Sequence, residues 1–200
     1  MVKKILVLLT IALIGVLAWM AAGADRSADR VPVSGRPAAT ATAPLVDGNV
    51  SPPMTRDPDA PRPMIIPVAG VDRSAMRDTF DEMRGDRRHE AIDIPAPRGT
   101  PVIATDDGVV KKLFASVPGG LTVYEFDPDE RFCYYYAHLD GYAAGLHEGQ
   151  VLRRGEVLGY VGTTGNAPKN APHLHFALIR LDPDRRWWKG TYVDPYPLLR

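Results

Sequence analysis

The chain is expected to be a mainly β protein: a compact antiparallel β domain preceded by an N-terminal hydrophobic helix and a disordered linker. Three observations carry this expectation. Turn-forming strings recur at short intervals: Pro97-Arg98-Gly99, Asp106-Asp107-Gly108, Pro118-Gly119-Gly120, Asp127-Pro128-Asp129 and Arg153-Arg154-Gly155. The runs near these turns, 101–104, 108–114, 121–126 and 132–139, are short and rich in β-branched and aromatic residues. Beyond residue 64 no long stretch holds apolar residues at helical spacing, so one short helix near 74–83 is the most that is expected there.

The N-terminus reads differently. Lys3 and Lys4 precede residues 5–24, a run without charge. As a helix it would span roughly 30 Å, enough for a bilayer core. The two lysines would stay cytoplasmic and send the remainder outward. Ala22-Gly23-Ala24 also satisfies the small-x-small rule for signal cleavage, so residues 1–24 are a signal peptide or a membrane anchor. Either way a cell-envelope location on the extracytoplasmic side of a bacterium is expected. Residues 25–63 hold eight prolines but no aromatic residue and no isoleucine, so they cannot bury enough surface to offset ordering entropy. They read as a tether of roughly 35 Å average reach. The folded domain is expected over 64–200.

Charge and cysteine content exclude some functions. Lysine plus arginine and aspartate plus glutamate both number 24, and a nucleic-acid binder would normally show a basic excess. Cys133 is the single cysteine, which excludes an internal disulfide.

Chemistry concentrates in three strings. In His89-Glu90-Ala91-Ile92-Asp93-Ile94, strand alternation puts His89, Ala91 and Asp93 on one face and Glu90, Ile92 and Ile94 on the other. In His173-Leu174-His175-Phe176, both histidines and Ala177 share a face opposite Leu174, Phe176 and Leu178. In the third string Tyr134, Tyr136 and His138 share a face, with Cys133, Tyr135, Ala137 and Leu139 opposite, which places Cys133 on the wrong side to ligate beside His138. Imidazole and carboxylate hold borderline metals such as zinc, and three ligands with one open position make a hydrolytic site. Each string alone has a plainer reading, as an ion pair or a packed histidine. Together, with matching parity, they indicate a metal site, although spacing alone leaves open which of His173 and His175 binds. His147, in a turn-like string, is expected to be exposed.

These residues resemble the M23 family of zinc metallopeptidases, the lysostaphin-like or LytM-type peptidoglycan endopeptidases. The likeness rests on His89-x-x-x-Asp93, Pro97 to Val102, Asp107-Gly108-Val109-Val110 and Tyr136-Ala137-His138-Leu139. It continues through the glycine-punctuated run from Gly149 to Gly165 into Pro172-His173-Leu174-His175-Phe176. The resemblance covers roughly residues 77–177. Ala91 departs from it, since members usually carry glycine there.

The resemblance implies a barrel-sandwich type β fold with a groove floored by antiparallel sheet. It implies one Zn2+ held by His89, Asp93 and His175, with His138 and His173 as catalytic residues. Zinc then lowers the pKa of water to about 7, and the two histidines supply a base and an oxyanion donor in an order left open. The implied substrate is a peptide bond of the peptidoglycan stem or cross-bridge, with the membrane as a second partner if residues 1–24 are retained. Tyr134, Tyr136, Trp187, Trp188 and Tyr192 are candidates to line the groove, while Trp187 and Trp188 also suit packing of the C-terminal segment. A competing reading is a non-catalytic activator of cell-wall amidases, which would be expected to lack one or more of the five residues. A lipoyl-like carrier is disfavoured because Lys111 and Lys112 lie inside a strand-like run.

Overall fold

Short strands between turn-forming strings build the fold. A computed structural model of the chain describes residues 60–200. The expected apolar segment and all but the last four residues of the expected linker lie outside the described residues. Among those described, no helix is long and apolar enough to cross a membrane. The strands are β1 (Met83–Arg84), β2 (Arg87–Arg88), β3 (Ile92–Pro95), β4 (Pro101–Ile103), β5 (Gly108–Ser116) and β6 (Gly120–Phe126). There follow β7 (Phe132–Tyr142), β8 (Val151–Leu152), β9 (Val157–Val161), β10 (His173–Leu181) and β11 (Gly190–Val193). β1 and β2 form a separate hairpin; the other nine make one antiparallel sheet with the path β11-β10-β7-β6-β5-β8, β3 joining β10 and β9 joining both β7 and β4.

The turn strings fall between strands as expected: residues 97–99 separate β3 from β4, 118–120 lead into β6, and 127–129 separate β6 from β7. The helix expected near 74–83 is absent. A 3-10 turn at Arg73–Ala75, capped by Asp72 accepting from the Ser74 amide at 2.8 Å, takes its place. Thr79 explains the difference. Its hydroxyl donates to the Ala91 carbonyl at 3.2 Å and accepts from the Asp93 amide at 3.0 Å, drawing this segment along β3 instead of letting it coil.

β10 organises the centre. Leu174, Phe176 and Leu178 are fully buried and face the main core with Ile92, Ile94, Tyr134 and Tyr136. Each such side chain contributes roughly 1.5–3 kcal/mol on leaving water. β10 pairs with β3 through His175↔Asp93 and with β7 through His175↔Ala137. The strict alternation expected for this string therefore holds, and it leaves His173 and His175 on the opposite face of the sheet.

Candidate metal centre and active site

The regular strands place two of the candidate residues. His175 stands directly opposite Asp93, whose neighbours Ile92 and Ile94 are locked in the core. His89 reaches the same place by a different route. It precedes β3, and Glu90 adopts φ +56°, so the expected strand parity does not extend back to His89. Its position is fixed instead by its amide donating to the Glu82 carbonyl at 2.8 Å and by Nδ1, 3.0 Å from the Thr79 carbonyl. A carbonyl only accepts, so Nδ1 carries the proton and Nε2 keeps its lone pair. Ala91, between His89 and Asp93 in sequence, is fully buried.

The three ligand-type atoms converge. His89 Nε2 lies 3.1 Å from His175 Nδ1 and 3.1 Å from Asp93 Oδ1, and His175 Nδ1 lies 3.2 Å from Asp93 Oδ1. Tetrahedral zinc with bonds near 2.05 Å would separate its ligand atoms by roughly 3.3 Å, so the triangle suits such an ion. Among the described residues this is the only such group of histidine, cysteine or carboxylate side chains.

The charge states suit a cation as well. Burial opposes ionisation of Asp93, but the adjacent His175 and His89 imidazoles outweigh it and hold the carboxyl well below the usual range. His175 is held below the ordinary imidazole value by burial, against the pull of Asp93. His138 falls to about 4, through burial first and then the proximity of His175 and His173. Both rings are neutral at pH 7 and keep a lone pair.

His138 comes from a bulge. Tyr136 pairs with Val123 and Leu139 with Leu121, so three steps on β7 oppose two on β6, and His138 adopts φ +62°. This overturns the parity expected for the third string. Tyr134 and Tyr136 face the core and do not line the groove; Tyr135, Ala137 and His138 do. Cys133 lies on the groove face too, opposite Ile179 and four residues along β10 from His175, roughly 13 Å away. Distance, and not the wrong face, separates it from the site.

His138 Nδ1 sits 2.9 Å from the Thr164 carbonyl, and His173 Nδ1 sits 2.8 Å from the Ala171 carbonyl. Each ring therefore donates from Nδ1, and the two centroids lie 5.1 Å apart. Thr164 is a supporting residue that pattern reading did not single out: its hydroxyl accepts from the Leu121 amide at 3.0 Å and donates to the Leu139 carbonyl at 2.8 Å. Arg84 is another, its guanidinium donating to Asp93 Oδ2 at 2.9 Å. The only signal for its hairpin was Gly85-Asp86, a two-residue turn string. His147 is exposed, as expected, with Nδ1 against the Gly145 carbonyl.

The groove around these residues has a volume of about 1050 Å³. Tyr124, Tyr135, Trp188 and Tyr192 supply its aromatic lining. The two tryptophans divide the expected roles: Trp187 packs against Phe114 and Tyr124, whereas Trp188 is exposed in the groove.

Gly120→Ala is expected to cost about 3 kcal/mol in chemical denaturation, from left-handed strain and overpacking together. Gly120 has φ +65°, and a Cβ there would overlap the Thr164 hydroxyl and backbone. Because the Thr164 carbonyl holds His138 Nδ1, the orientation of that ring is expected to loosen with it.

Known proteins resemble this chain in sequence and fold. The model of peptidase family M23 matches residues 87–195, more than half of the chain. An L-Ala--D-Glu endopeptidase of Bacillus subtilis is 38% identical over 132 residues, covering 62% of this chain and 39% of the relative. The cell division protein DipM of Caulobacter vibrioides is 34% identical over 115 residues, covering 56% of this chain and 18% of its own length. The chain thus spans well under half of these relatives. The crystal structure of lytM from Ruminococcus gnavus superposes with a TM-score of 0.54 at 29% identity, covering 68% of this chain and 57% of that one. The antiparallel sheet is accordingly of the LytM and lysostaphin type, and the chain belongs to peptidase family M23.

Proposed function

We propose that residues 64–200 form a zinc-dependent endopeptidase that hydrolyses peptide bonds of peptidoglycan stems or cross-links. His89, Asp93 and His175 would hold the ion; the observation that carries this is their triangle of 3.1, 3.1 and 3.2 Å. Zinc held there supplies Lewis acidity and lowers the pKa of water to about 7. His138 and His173 each donate from Nδ1 to a carbonyl and turn Nε2 to the groove. One of them takes a proton from the attacking water; the other, in its protonated form, donates to the oxyanion of the tetrahedral intermediate. The carbonyls of Thr164 and Ala171 fix both rings, so little reorganisation accompanies proton transfer.

The substrate class follows from relatives such as the L-Ala--D-Glu endopeptidase, whose named bond is the first to test here. Residues 1–24 would carry the chain to the extracytoplasmic side, and 25–63 would tether the domain near the wall. The likeness to a cell division protein supports a second reading, an activator of amidases. The complete ligand triangle favours hydrolysis over it.

Incubating the full chain with isolated peptidoglycan, with and without a chelator, tests this. Peptide fragments released only without chelator are the expected result, with mass analysis giving the bond cut. No release in the presence of added zinc, together with stimulation of a purified amidase, would favour the activator.

A further inference from the structure

Toward β11 the groove changes character. On β10 the residues that follow His175 on the same face are Ala177 and Ile179, and Ile179 stands opposite Tyr192 of β11 and Cys133 of β7. This end lies roughly 13 Å from the metal-ligand triangle, four residues of strand. Its floor is aromatic and continuous: Tyr124 and Tyr135 have ring centroids 4.7 Å apart, Tyr124 and Trp187 4.7 Å, and Trp187 and Trp188 5.0 Å. Trp188 is 57% exposed and offers its surface to the groove.

The β1–β2 hairpin supplies the adjoining wall, with Arg84, Arg87 and Arg88 all lining the groove and Glu90 beside them. Two of the three arginines are engaged. Arg84 pairs with Asp93 at 2.9 Å and Glu82 at 3.1 Å, and Arg88 pairs with Asp81 at 3.1 Å. The Arg87 guanidinium has no hydrogen bond or ion pair among the described residues. Its charge is nonetheless close enough to act on the Tyr192 phenol. The opposite end of the groove, beyond His173, is lined by Pro118, Gly119, Asn166, Ala167, Ala171 and Pro172, none of them charged. Charge recognition is thus confined to one side of the reacting centre.

We propose that Arg87 is a specificity-determining residue that pairs with a carboxylate of the peptide on the β11 side of the reacting bond. The substrate class is then an anionic peptide whose small or aliphatic side chains lie over the aromatic floor. A guanidinium matches a carboxylate with two parallel N–H donors, and an apolar floor weakens solvent screening of that pair. The hairpin is held to the site by the Arg84–Asp93 pair and the His89–Glu82 backbone bond, so Arg87 stays in register with the reacting centre. This rests on the endopeptidase reading above.

The test uses the zinc-loaded full chain and a synthetic stem pentapeptide. Three derivatives are each amidated at one carboxylate: the glutamyl α-carboxylate, the diaminopimelyl carboxylate or the C-terminus. One amidation is expected to lower wild-type kcat/KM about tenfold, mainly through KM. In Arg87→Ala the same amidation should change kcat/KM less than twofold, and Arg87→Lys should keep part of the discrimination. The proposal is overturned if no amidation matters to the wild type, or if Arg87→Ala keeps the wild-type ratio. Binding of the four peptides to zinc-loaded His138→Ala, with and without Arg87→Ala, is measured by calorimetry in parallel. Should the wild type cleave none of them, hydrolysis within the stem fails as a reading, while the binding ratios still decide the role of Arg87.

Discussion

Replacing His175 with alanine is expected to leave the protein both metal-free and inert, whereas His138→Ala should keep zinc and lose activity. His175 Nδ1 sits within 3.2 Å of both other ligand-type atoms, so its removal leaves two donors where a stable site needs three. His138 stands outside that triangle, its centroid 5.6 Å from that of His175, and its loss would remove the group proposed for proton transfer or oxyanion binding. Such groups contribute typically 10²–10⁴-fold in rate. Elemental analysis after dialysis, beside fragment release from peptidoglycan, separates the two effects. Both variants should fold, since the core-facing neighbours Leu174, Phe176 and Leu139 are untouched. A metal-free His138→Ala protein would overturn the division of roles.

The second large effect lies in the core. Glu125 on β6 is fully buried, accepts a 2.6 Å hydrogen bond from the Tyr136 hydroxyl and leaves Oε1 without a partner. Burial, opposed by that bond and reinforced by Asp106, Asp107 and Glu156, pushes its carboxyl up to about 8. A raised carboxyl reverses the usual acid-denaturation sign. Between the unfolded value near 4.5 and about 8, the folded state holds a proton that the unfolded state releases. Stability is therefore greatest below that window and falls as pH rises through it, by up to about 1.4 kcal/mol per pH unit. Glu125→Gln mimics the protonated acid and should flatten this slope, raising stability at pH 8 relative to wild type. Urea midpoints at pH 5, 6.5 and 8 provide the check. Equal pH slopes in the two proteins would count against the protonated-acid account.

How well a string could be read depended on whether its strand was regular. On β10 alternation is unbroken, so the division between His173 and His175 on one face and Leu174, Phe176 and Leu178 on the other was legible from the order of residues alone. On β7 one extra residue at His138 shifts the parity, and nothing in Tyr136-Ala137-His138-Leu139 announces a bulge. Tyr134 and Tyr136 were consequently placed in the groove when they belong to the core. His89 was brought to the right neighbourhood by parity reasoning that does not apply to it: Glu90 turns the chain, and the Thr79 carbonyl holds the ring. The Arg84 hairpin escaped notice because strands of two residues carry no periodicity. Turn chemistry, which is local, was the most legible feature; side-chain support such as Thr164 beneath His138 depends on contacts between distant segments and was not.

β10 pairs with β3, β7 and β11 at once, and its His175 meets partners 82 and 86 residues earlier in the chain. No stretch of the polypeptide smaller than this composite can assemble the reactive cluster. On the endopeptidase reading a nascent or denatured molecule would be inert toward its surroundings, and recovery of hydrolysis on dilution from urea should report the docking of that single central strand.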